Sequence, residues 1–429
     1  MTTRYRFSAF GSALTRNTGA LQLMADLAAP APPGVDVMPL GGGNPARIAE
    51  VEAVYRRELA KIAANAGAFS RFAECYSAPE GDRPFRESLA RYLSEMLAAP
   101  IEADNIALTP GSQAAFFLLF NLLAGRMTDG SRRRILLPLV PEYIGYADLG
   151  IDGSLFVAER PRIELLGSDF FKYRVDFDEL SVDASIAAIC VSRPTNPTGN
   201  VLTDGEMRRL DELARAARVP LIVDAAYGQP FPGIVFGEAL PFWNDNVVLC
   251  LSLSKLGLPA LRTGIVVADP ALIEALRAMS AVTCLAPPSC GAVLVEGLLD
   301  SGELDQLCSD HVRPYYNHRA HQAVAWLREA LAGISYRIHQ PEGAFFLWLW
   351  LPELALPTLE LYARLKARGV VVVPGEYFFP GLSDDDWPHV RQCLRLSYAQ
   401  SPDAVERGIR IIGEEVRALT SSDGGPQSR

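Results

Sequence analysis

The chain has 429 residues, 49% of them hydrophobic, and a formal net charge of −10. A chain of this length and composition can bury a sizeable core and is long enough for two domains. The sequence pI of about 5.2 and the lack of a basic stretch argue against nucleic acid as a partner. The longest apolar stretches are far shorter than a membrane span, so no membrane partner is expected.

Seven cysteines are scattered without C-x-x-C spacing, which is typical of reduced thiols in a cytoplasmic protein. His318 and His321 have helical i,i+3 spacing but no third ligand, and therefore no metal site is predicted. The N-terminus lacks an uninterrupted apolar segment, which argues against a secretory signal. The three aspartates at 384–386 are interpreted as an exposed turn.

Segment 1–45, rich in alanine and proline, is predicted to be an arm that packs near the functional site or a neighbouring subunit. From about Asn105 to Val267, strand-like runs alternate with helical ones, as in a parallel sheet with helices on both faces. Residues 303–332 are mostly helical in pattern, with a kink or break expected at Pro314, and strand-like runs follow at 334–338, 345–350 and 370–373. We predict a large domain over 46–302, a smaller α/β domain over 303–420 and a disordered tail over 421–429.

The first chemically informative segment is Leu108–Phe117, where a strand passes through Gly111 into a helix. Free N–H groups and the dipole at such a helix start offer a phosphate site at Ser112 and Gln113. An ordinary helix start explains the same residues when they are considered alone.

Two further apolar runs end in polar residues. Ile189–Asn200 is a strand that opens into a turn-rich loop, in which Asn196 is fixed between two prolines. Val219–Tyr227 ends in Asp224, as expected of a buried parallel strand that delivers a carboxylate at its C-terminal edge. A carboxylate there can hold a pyridinium nitrogen protonated, although a helix cap and a plain turn are the alternatives for the two segments.

The next strand-like run, Val247–Leu253, is followed by Lys255, and Arg262 comes seven residues later. An amine at a strand end can be partly desolvated, which lowers its pKa and makes it nucleophilic toward an aldehyde. Arg262 offers a planar fork for a phosphate monoester. A surface lysine after a strand explains this motif equally well when it is considered alone.

Together and in this order, these segments resemble the fold-type I aminotransferases of class I/II, which depend on pyridoxal 5'-phosphate (PLP). The similarity extends from about Phe10 to about Ala418 and is closest to members that act on valine-like amino acids. Further matching segments are Leu40–Pro45, Pro141–Tyr146, Ser252–Pro259 and Pro341–Trp350. The resemblance implies a large domain with a mostly parallel seven-stranded sheet and a smaller C-terminal α/β domain.

The resemblance also implies roles for individual residues. Lys255 forms the Schiff base with PLP and moves the substrate proton, and Asp224 pairs with the pyridine nitrogen. The other implied cofactor contacts are Ser112, Gln113, Ser252 and Arg262 at the phosphate, Tyr143 on the ring face, Asn196 and Tyr227 at the 3'-oxygen, and Tyr76 from the neighbouring subunit of a homodimer. Arg395, with Gly43 and Asn196 nearby, clamps the substrate α-carboxylate.

The predicted activity exchanges an amino group between a small aliphatic amino acid, of valine or alanine type, and a 2-oxo acid of pyruvate type. Its apolar substrate pocket is expected to have walls from Phe345, Phe378 and Tyr146.

Departures from the family pattern at Ala260-Leu261 and Pro287-Pro288 keep open a second reaction on the same cofactor, either β- or γ-elimination or carbon–carbon bond formation. A PLP-binding transcription regulator is disfavoured, because the N-terminal segment is too short and too little charged for a helix-turn-helix module.

Overall fold

The computed structural model describes residues 5–16, 18–29, 34–382 and 387–422. The helices in these ranges are α1 (Ala9–Leu14), α2 (Gly19–Ala28), α3 (Ala49–Ala64), α4 (Ala66–Phe69), α5 (Arg83–Leu97), α6 (Ser112–Leu123), α7 (Asp204–Ala217), α8 (Pro270–Thr283), α9 (Cys290–Asp300), α10 (Glu303–Gln306), α11 (Arg313–Ala330), α12 (Thr358–Ala367) and α13 (Pro402–Ser422). The predicted turn at 384–386 lies outside the described residues. So does the predicted tail from 423 onward, whereas residues 421 and 422 end α13.

The strands are β1 (Ile106–Pro110), β2 (Gly125–Arg126), β3 (Arg132–Leu137), β4 (Phe156–Ala158), β5 (Arg162–Leu166), β6 (Phe170–Arg174), β7 (Ile186–Ser192), β8 (Leu221–Asp224), β9 (Val247–Ser252), β10 (Thr263–Val267), β11 (Arg337–His339), β12 (Phe346–Trp350), β13 (Val373–Pro374) and β14 (Cys393–Ser397). They form two sheets. The strands of the first sheet come from the N-terminal two thirds of the chain, and most strands of the second come from the last third.

The larger sheet confirms the predicted mostly parallel architecture. Its main strands run in the order β4-β3-β7-β8-β9-β10-β1, and β10 is antiparallel to both of its neighbours. The two-residue β2 adds an eighth strand by pairing with the start of β3. Every residue of β7 and β9 is buried. Strands covered on both faces by helices read as continuous apolar runs, which is why the sequence revealed them.

The second sheet has the order β13-β14-β12-β11-β6-β5. The hairpin β5–β6 therefore joins this sheet, although its residues fall within the range predicted for the large domain. The two-domain division stays a prediction, and the hairpin crosses its boundary. β11 begins at Arg337, later than the predicted run from 334, and β13 contains only Val373 and Pro374.

A partly buried ion pair connects the loop after β7 to the second sheet. Lys172 on β6 pairs with Glu342, and its Nζ also donates to the carbonyl oxygen of Val201 at 3.0 Å. Glu342 Oε2 accepts from the Val201 N–H at 3.0 Å. A Cβ on Gly343 would lie 2.5 Å from Pro194 Cγ, so the close approach of the two segments requires glycine. This contact fixes the position of the loop that contains Asn196.

The helical region 303–330 is interrupted near the predicted place. A π-helical turn, Leu307–Val312, separates α10 from α11, and Pro314 lies in the first turn of α11. Proline is tolerated there because its missing N–H would have no partner within the helix. In the part of the chain that the structure describes, no helix is both long enough and apolar enough to cross a bilayer.

Candidate active site

Three neighbouring parallel strands end in polar residues at one edge of the large sheet. β7 ends at Ser192, β8 at Asp224 and β9 at Ser252. A cavity of about 200 Å³ opens at this edge. The predicted site residues that line it are Gly43, Ser112, Gln113, Tyr143, Asn196, Asp224, Tyr227, Ser252, Lys255 and Arg262. Because α/β sheets bind ligands at the carboxyl ends of their strands, this cavity is the candidate active site.

The Lys255 side chain reaches the cavity from the turn directly after β9. Its Nζ donates to the carbonyl oxygen of Gly43 at 2.9 Å and lies 5.2 Å from the ring centroid of Tyr227. Burial lowers the pKa of this amine to about 8, Arg395 adds to the decrease and Asp224 opposes it. The neutral amine, which is the nucleophilic form, is therefore accessible near physiological pH.

Lys255 is one of four lysines in the chain, and its surroundings differ from those of the others. Each of the other three pairs with a carboxylate: Lys61 with Glu58, Lys172 with Glu342 and Lys366 with Asp26. A carboxylate partner favours the charged ammonium. The acceptor for Lys255 is a neutral carbonyl, which makes it the lysine best suited to act as a free amine.

Asp224 lies at the base of the cavity, with its carboxylate held by two donors. Oδ2 accepts from the Tyr146 hydroxyl at 2.7 Å, and Oδ1 accepts from the Ala226 N–H at 2.9 Å. Burial raises the pKa of Asp224, while these hydrogen bonds and the Lys255 amine oppose the increase. Both donors stabilise the ionised form, so the carboxylate can pair with a cationic group in the cavity.

A helix N-terminus forms another wall of the cavity. α6 begins at Ser112, directly after Gly111, whose φ of +84° lies in the left-handed region. The Ala114 N–H bonds back to the carbonyl oxygen of Gly111, so the N–H groups of Ser112 and Gln113 precede the helical ladder and are available to a ligand. Together with the helix dipole, they form a site for an anion.

Arg262 lies directly against this anion site. A Cβ on Gly111 would lie 2.1 Å from Arg262 Nη2, so only glycine leaves room for the guanidinium. The sequence departure at Ala260-Leu261 is part of the short helical turn Pro259–Leu261 and leaves Arg262 in this position. A guanidinium fork beside free N–H groups has the donors that a phosphate monoester requires.

Arg395 on β14 is buried behind Asn196. Its Nη1 donates to Asn196 Oδ1 at 2.8 Å, and its Nη2 donates to the carbonyl oxygen of Gly41 at 2.6 Å. Burial lowers the pKa of Arg395 to about 10, so the guanidinium remains cationic at neutral pH. Among the described residues, its buried Nε has no hydrogen-bond partner. A buried positive charge without a counter-ion and a buried N–H without an acceptor both cost free energy. Arg395 therefore favours an anionic ligand.

Two tyrosines frame the cavity. The Tyr143 ring lies over Gly145, where a Cβ would be 2.3 Å from Tyr143 Cε1. Tyr227 meets Phe345 edge-on, with 5.0 Å between the ring centroids. Burial raises the pKa of both tyrosines, so their hydroxyls stay protonated and can donate hydrogen bonds.

Tyr76 is a predicted site residue that the single chain does not bring to the cavity. Its exposed fraction is 85%. The carbonyl oxygen of Pro287 accepts from the Ser77 hydroxyl at 3.3 Å. The second departure from the family pattern, Pro287-Pro288, therefore lies beside the loop that contains Tyr76.

The structure also corrects the expected pocket walls and adds residues to the site. Tyr146, Phe345 and Phe378 are fully buried, and none of them lines the cavity as predicted. Tyr146 lies beneath the cavity, where its hydroxyl bonds Asp224. Lining residues that were not predicted as site residues are Asn44, Phe116, Ser192, Pro194, Ala226, Ser254 and Pro259. Ser192 and Ser254 stand at the ends of apolar strand runs, a signal that could have identified them. The other five have no such signal.

Lysine, aspartate, a helix N-terminus and Arg262 thus meet at one sheet edge, and Arg395, from the second sheet, reaches Asn196 beside them, as in fold-type I transferases. The family model for aminotransferases of class I and II matches residues 154–412. The chain belongs to this family and is an aminotransferase.

Three relatives show how specific the likeness is. Valine–pyruvate aminotransferase of Escherichia coli (strain K12) is 47% identical over 410 residues, which cover 96% of this chain and 98% of that protein. The crystal structure of valine-pyruvate aminotransferase from Salmonella typhimurium LT2 has a TM-score of 0.86 at 46% identity, with 94% of this chain and 99% of that chain covered. Kynurenine aminotransferase of Pyrococcus horikoshii, solved with PMP, has a TM-score of 0.79 at 21% identity, with 96% and 97% coverage, and shows the shared fold.

Proposed function

We propose that this aminotransferase uses PLP to exchange the amino group of a small aliphatic amino acid, of valine or alanine type, with a 2-oxo acid of pyruvate type. The observation that carries the proposal is the meeting of Lys255, Asp224 and Arg262 in one cavity with the N-terminus of α6. The two relatives named as valine–pyruvate aminotransferases support the substrate class.

The donor set of the cavity fits the phosphate of PLP. The close contact between Gly111 and Arg262 leaves a cradle that a Cβ would fill. The phosphate ligands in this proposal are the N–H groups and side chains of Ser112 and Gln113, the Ser252 hydroxyl and the Arg262 guanidinium. Their positive charge and hydrogen-bond donors match a dianion.

The remaining cavity residues fit the ring of PLP. Asp224 would pair with the pyridine nitrogen, Tyr143 would pack on the ring face, and Asn196 and Tyr227 would donate to the 3'-oxygen. Since Asn196 Oδ1 accepts from Arg395, its NH₂ end is directed away from the guanidinium and is free to donate. When bound, PLP supplies an electron sink for the electron pair left on the substrate α-carbon.

Lys255 is the proposed proton carrier. Its Nζ takes the proton from the substrate α-carbon and holds it for return. A pKa of about 8 suits this task, because a general base works best when its pKa is close to the working pH. The carbonyl oxygen of Gly43 orients the amine at 2.9 Å.

Arg395 is the proposed ligand of the substrate α-carboxylate, with Gly43 and Asn196 nearby. Its unused Nε and its buried charge support this role. Phe345 and Phe378 lie behind the cavity surface, and in this proposal they form the apolar backing of the site for the substrate side chain. Phe345 lies 5.6 Å from Lys255 Nζ and Phe378 5.2 Å from the Arg395 guanidinium carbon, measured to the ring centroids.

Arg395→Lys should lower kcat/KM for valine and alanine by roughly a hundredfold while leaving PLP affinity unchanged. A lysine keeps the charge but lacks the planar fork, so it cannot bind a carboxylate bidentately while also bonding Asn196 and Gly41. Steady-state kinetics and a cofactor titration measure the two quantities. Arg368→Lys, at an exposed ion pair, is the matched control. A mutant with the parent's kcat/KM for every amino acid tested would show that the carboxylate is bound elsewhere.

We also propose a cytoplasmic homodimer with shared active sites. The seven cysteines of the described structure are all free, as in a reducing compartment. Exposed apolar side chains on α1 and α2, including Phe10, Leu21 and Met24, suit an interface with a second copy. Tyr76 is exposed in one chain and, in this proposal, reaches the phosphate of the neighbouring site.

Tyr76→Ala should weaken PLP binding by about tenfold, because one hydrogen bond to a charged phosphate is lost. Cofactor titration measures this, and light scattering measures the mass of the assembly. Leu240→Ala changes another exposed side chain, 69% accessible, and serves as the control. A fully active monomer, or unchanged cofactor affinity in Tyr76→Ala, would contradict the shared-site arrangement.

The direct test of function is to mix the purified holoprotein with valine and pyruvate and to quantify the products. Transamination predicts equal amounts of alanine and the 2-oxo acid of valine, with no ammonia. A parallel incubation with serine, whose β-hydroxyl can leave, tests elimination, the second reaction considered above: elimination would release water and then, on hydrolysis, ammonia and pyruvate from serine. In the structure, the Ala260-Leu261 departure leaves Arg262 beside the anion site, so it gives no support to a changed reaction.

A further inference from the structure

A second carboxyl group, that of Glu142, is enclosed beneath the cavity and has no role in the chemistry described so far. Glu142 lies in the loop after β3, and its exposed fraction is 1%. Its Oε1 accepts from the Ser192 N–H at 2.8 Å, and its Oε2 lies 2.5 Å from Ser192 Oγ. The charged group that acts on it most is another carboxylate, Asp224. A buried acid beside a like charge requires an explanation.

Ser192 and Tyr146 connect the two acids. Ser192 Oγ lies 3.4 Å from the Tyr146 hydroxyl oxygen, and Tyr146 donates to Asp224 Oδ2 at 2.7 Å. Each hydroxyl has one proton to donate. Since Tyr146 spends its proton on Asp224, Ser192 is free to donate to Tyr146. With Ser192 donating to Tyr146, its Oγ is left to accept from Glu142 Oε2 at 2.5 Å, and this direction requires Glu142 to be the neutral acid. An ionised Glu142 would instead accept the Ser192 proton.

Burial of Glu142 favours the neutral acid that this direction of donation requires. Burial raises the pKa of Glu142 to about 8, the Ser192 hydrogen bonds oppose the increase, and Asp224 adds to it. Two carboxylates in one enclosed network cannot both ionise without a large cost. The other titratable groups around Glu142 are Tyr143, Tyr146 and Cys190, and burial raises the pKa of each, so they stay neutral.

We propose that Glu142 is a positioning residue: as a neutral acid, it begins a hydrogen-bond chain through Ser192 and Tyr146 that keeps Asp224 ionised toward the ring nitrogen of PLP. Hydrogen bonds that point in one direction polarise one another and stabilise the final charge. The inference rests on the proposed pairing of Asp224 with the cofactor. The hydrogen-bond chain favours an ionised Asp224 paired with a protonated ring nitrogen over a protonated Asp224 paired with a neutral ring nitrogen.

The test follows the ring nitrogen itself, by ¹⁵N NMR of the holoprotein loaded with ¹⁵N-labelled PLP. Ser192→Ala and Tyr146→Phe break the chain at different links, and each should move the ring-nitrogen signal toward that of unprotonated pyridine. Both should weaken PLP binding by about tenfold. Glu142→Gln is neutral and keeps an N–H donor toward Ser192, so it should retain the wild-type signal.

Thermal unfolding of the cofactor-free protein gives a second readout. The folded-state pKa of Glu142, about 8, lies above its ordinary value of 4.5, so the folded protein holds a proton that the unfolded chain releases. Glu142 therefore makes the wild type progressively less stable as the pH rises through this window. Glu142→Gln has no such proton to hold. The melting temperature of this variant should therefore rise relative to that of the wild type as the pH increases across the same range.

A structural role alone would leave the nitrogen signal unchanged in Ser192→Ala and Tyr146→Phe, and that result would overturn the proposal. If the ring-nitrogen signal of Glu142→Gln shifts as far as the signals of Ser192→Ala and Tyr146→Phe, the proposal is also overturned. That result would mean that the protein requires the ionised form of Glu142. If wild-type protein shows no PLP attached to Lys255, the proposed function fails instead. The two failures are therefore distinguishable.

Discussion

Lys255→Ala is expected to yield a folded protein that binds PLP but does not attach it covalently. The phosphate site at α6 and the Asp224 carboxylate remain, whereas the amine near Gly43 is lost. Turnover should fall about 10⁴-fold or more, because both the nucleophile and the proton carrier are removed. Borohydride reduction followed by peptide mass spectrometry measures the attachment.

The control is Lys61→Ala, which removes another of the four lysines, an exposed one that pairs with Glu58 on α3. This variant should keep the label on Lys255 and keep the activity. A reduced PLP adduct on Lys61, Lys172 or Lys366 of the Lys255→Ala protein would show that the wrong lysine has been assigned. Loss of PLP binding altogether would show that the phosphate site contributes less than proposed.

The sequence predicted the large sheet because its central strands are covered on both faces. Runs such as Ile186–Ser192 and Val247–Ser252 are buried throughout, so each appears as an uninterrupted apolar segment with a polar residue at its end. The same rule predicts that Asp224 and Lys255 lie at one edge of the sheet, because each stands at or just beyond the end of an apolar run. The cavity brings these two residues together with Asn196 and Arg262.

Tertiary pairings were not predictable in this way. The hairpin β5–β6 joins the second sheet by pairing with β11, about 170 residues later in the chain, and no local pattern marks that partner. The position of Tyr146 was not predictable either, because an aromatic residue near a predicted pocket can line the pocket or lie beneath it. Only the fold shows that its hydroxyl is bonded to Asp224.

The burial of Glu142 was also not predictable, because no local sequence pattern indicates it. In the segment Pro141–Tyr146, a glutamate before a tyrosine reads as a surface residue, since acids are almost never fully buried without a partner. Its partners, the N–H and hydroxyl of Ser192, come from a strand fifty residues later. Such a group is found only when the strands are placed side by side.

Asp224→Ala should reduce transamination about 10³-fold or more while the protein remains folded. The variant removes the carboxylate that would keep the pyridine nitrogen protonated, so the substrate carbanion loses much of its electron sink. Loss of the hydrogen bonds from Tyr146 and the Ala226 N–H costs about 1–3 kcal/mol, which a protein of this size tolerates. Stopped-flow measurement of one half-reaction isolates the chemical step from product release.

Asp224→Asn separates charge from hydrogen bonding. The asparagine oxygen can still accept from the Tyr146 hydroxyl, so stability should recover, but without a negative charge the rate should stay nearly as low as in the alanine variant. Asp169→Ala, at a partly exposed ion pair with Arg328, is the control for loss of an aspartate elsewhere. Near-normal turnover in Asp224→Ala would make Asp224 a residue of the core. Recovery of activity in Asp224→Asn would show that its hydrogen bond, and not its charge, is what the cavity uses.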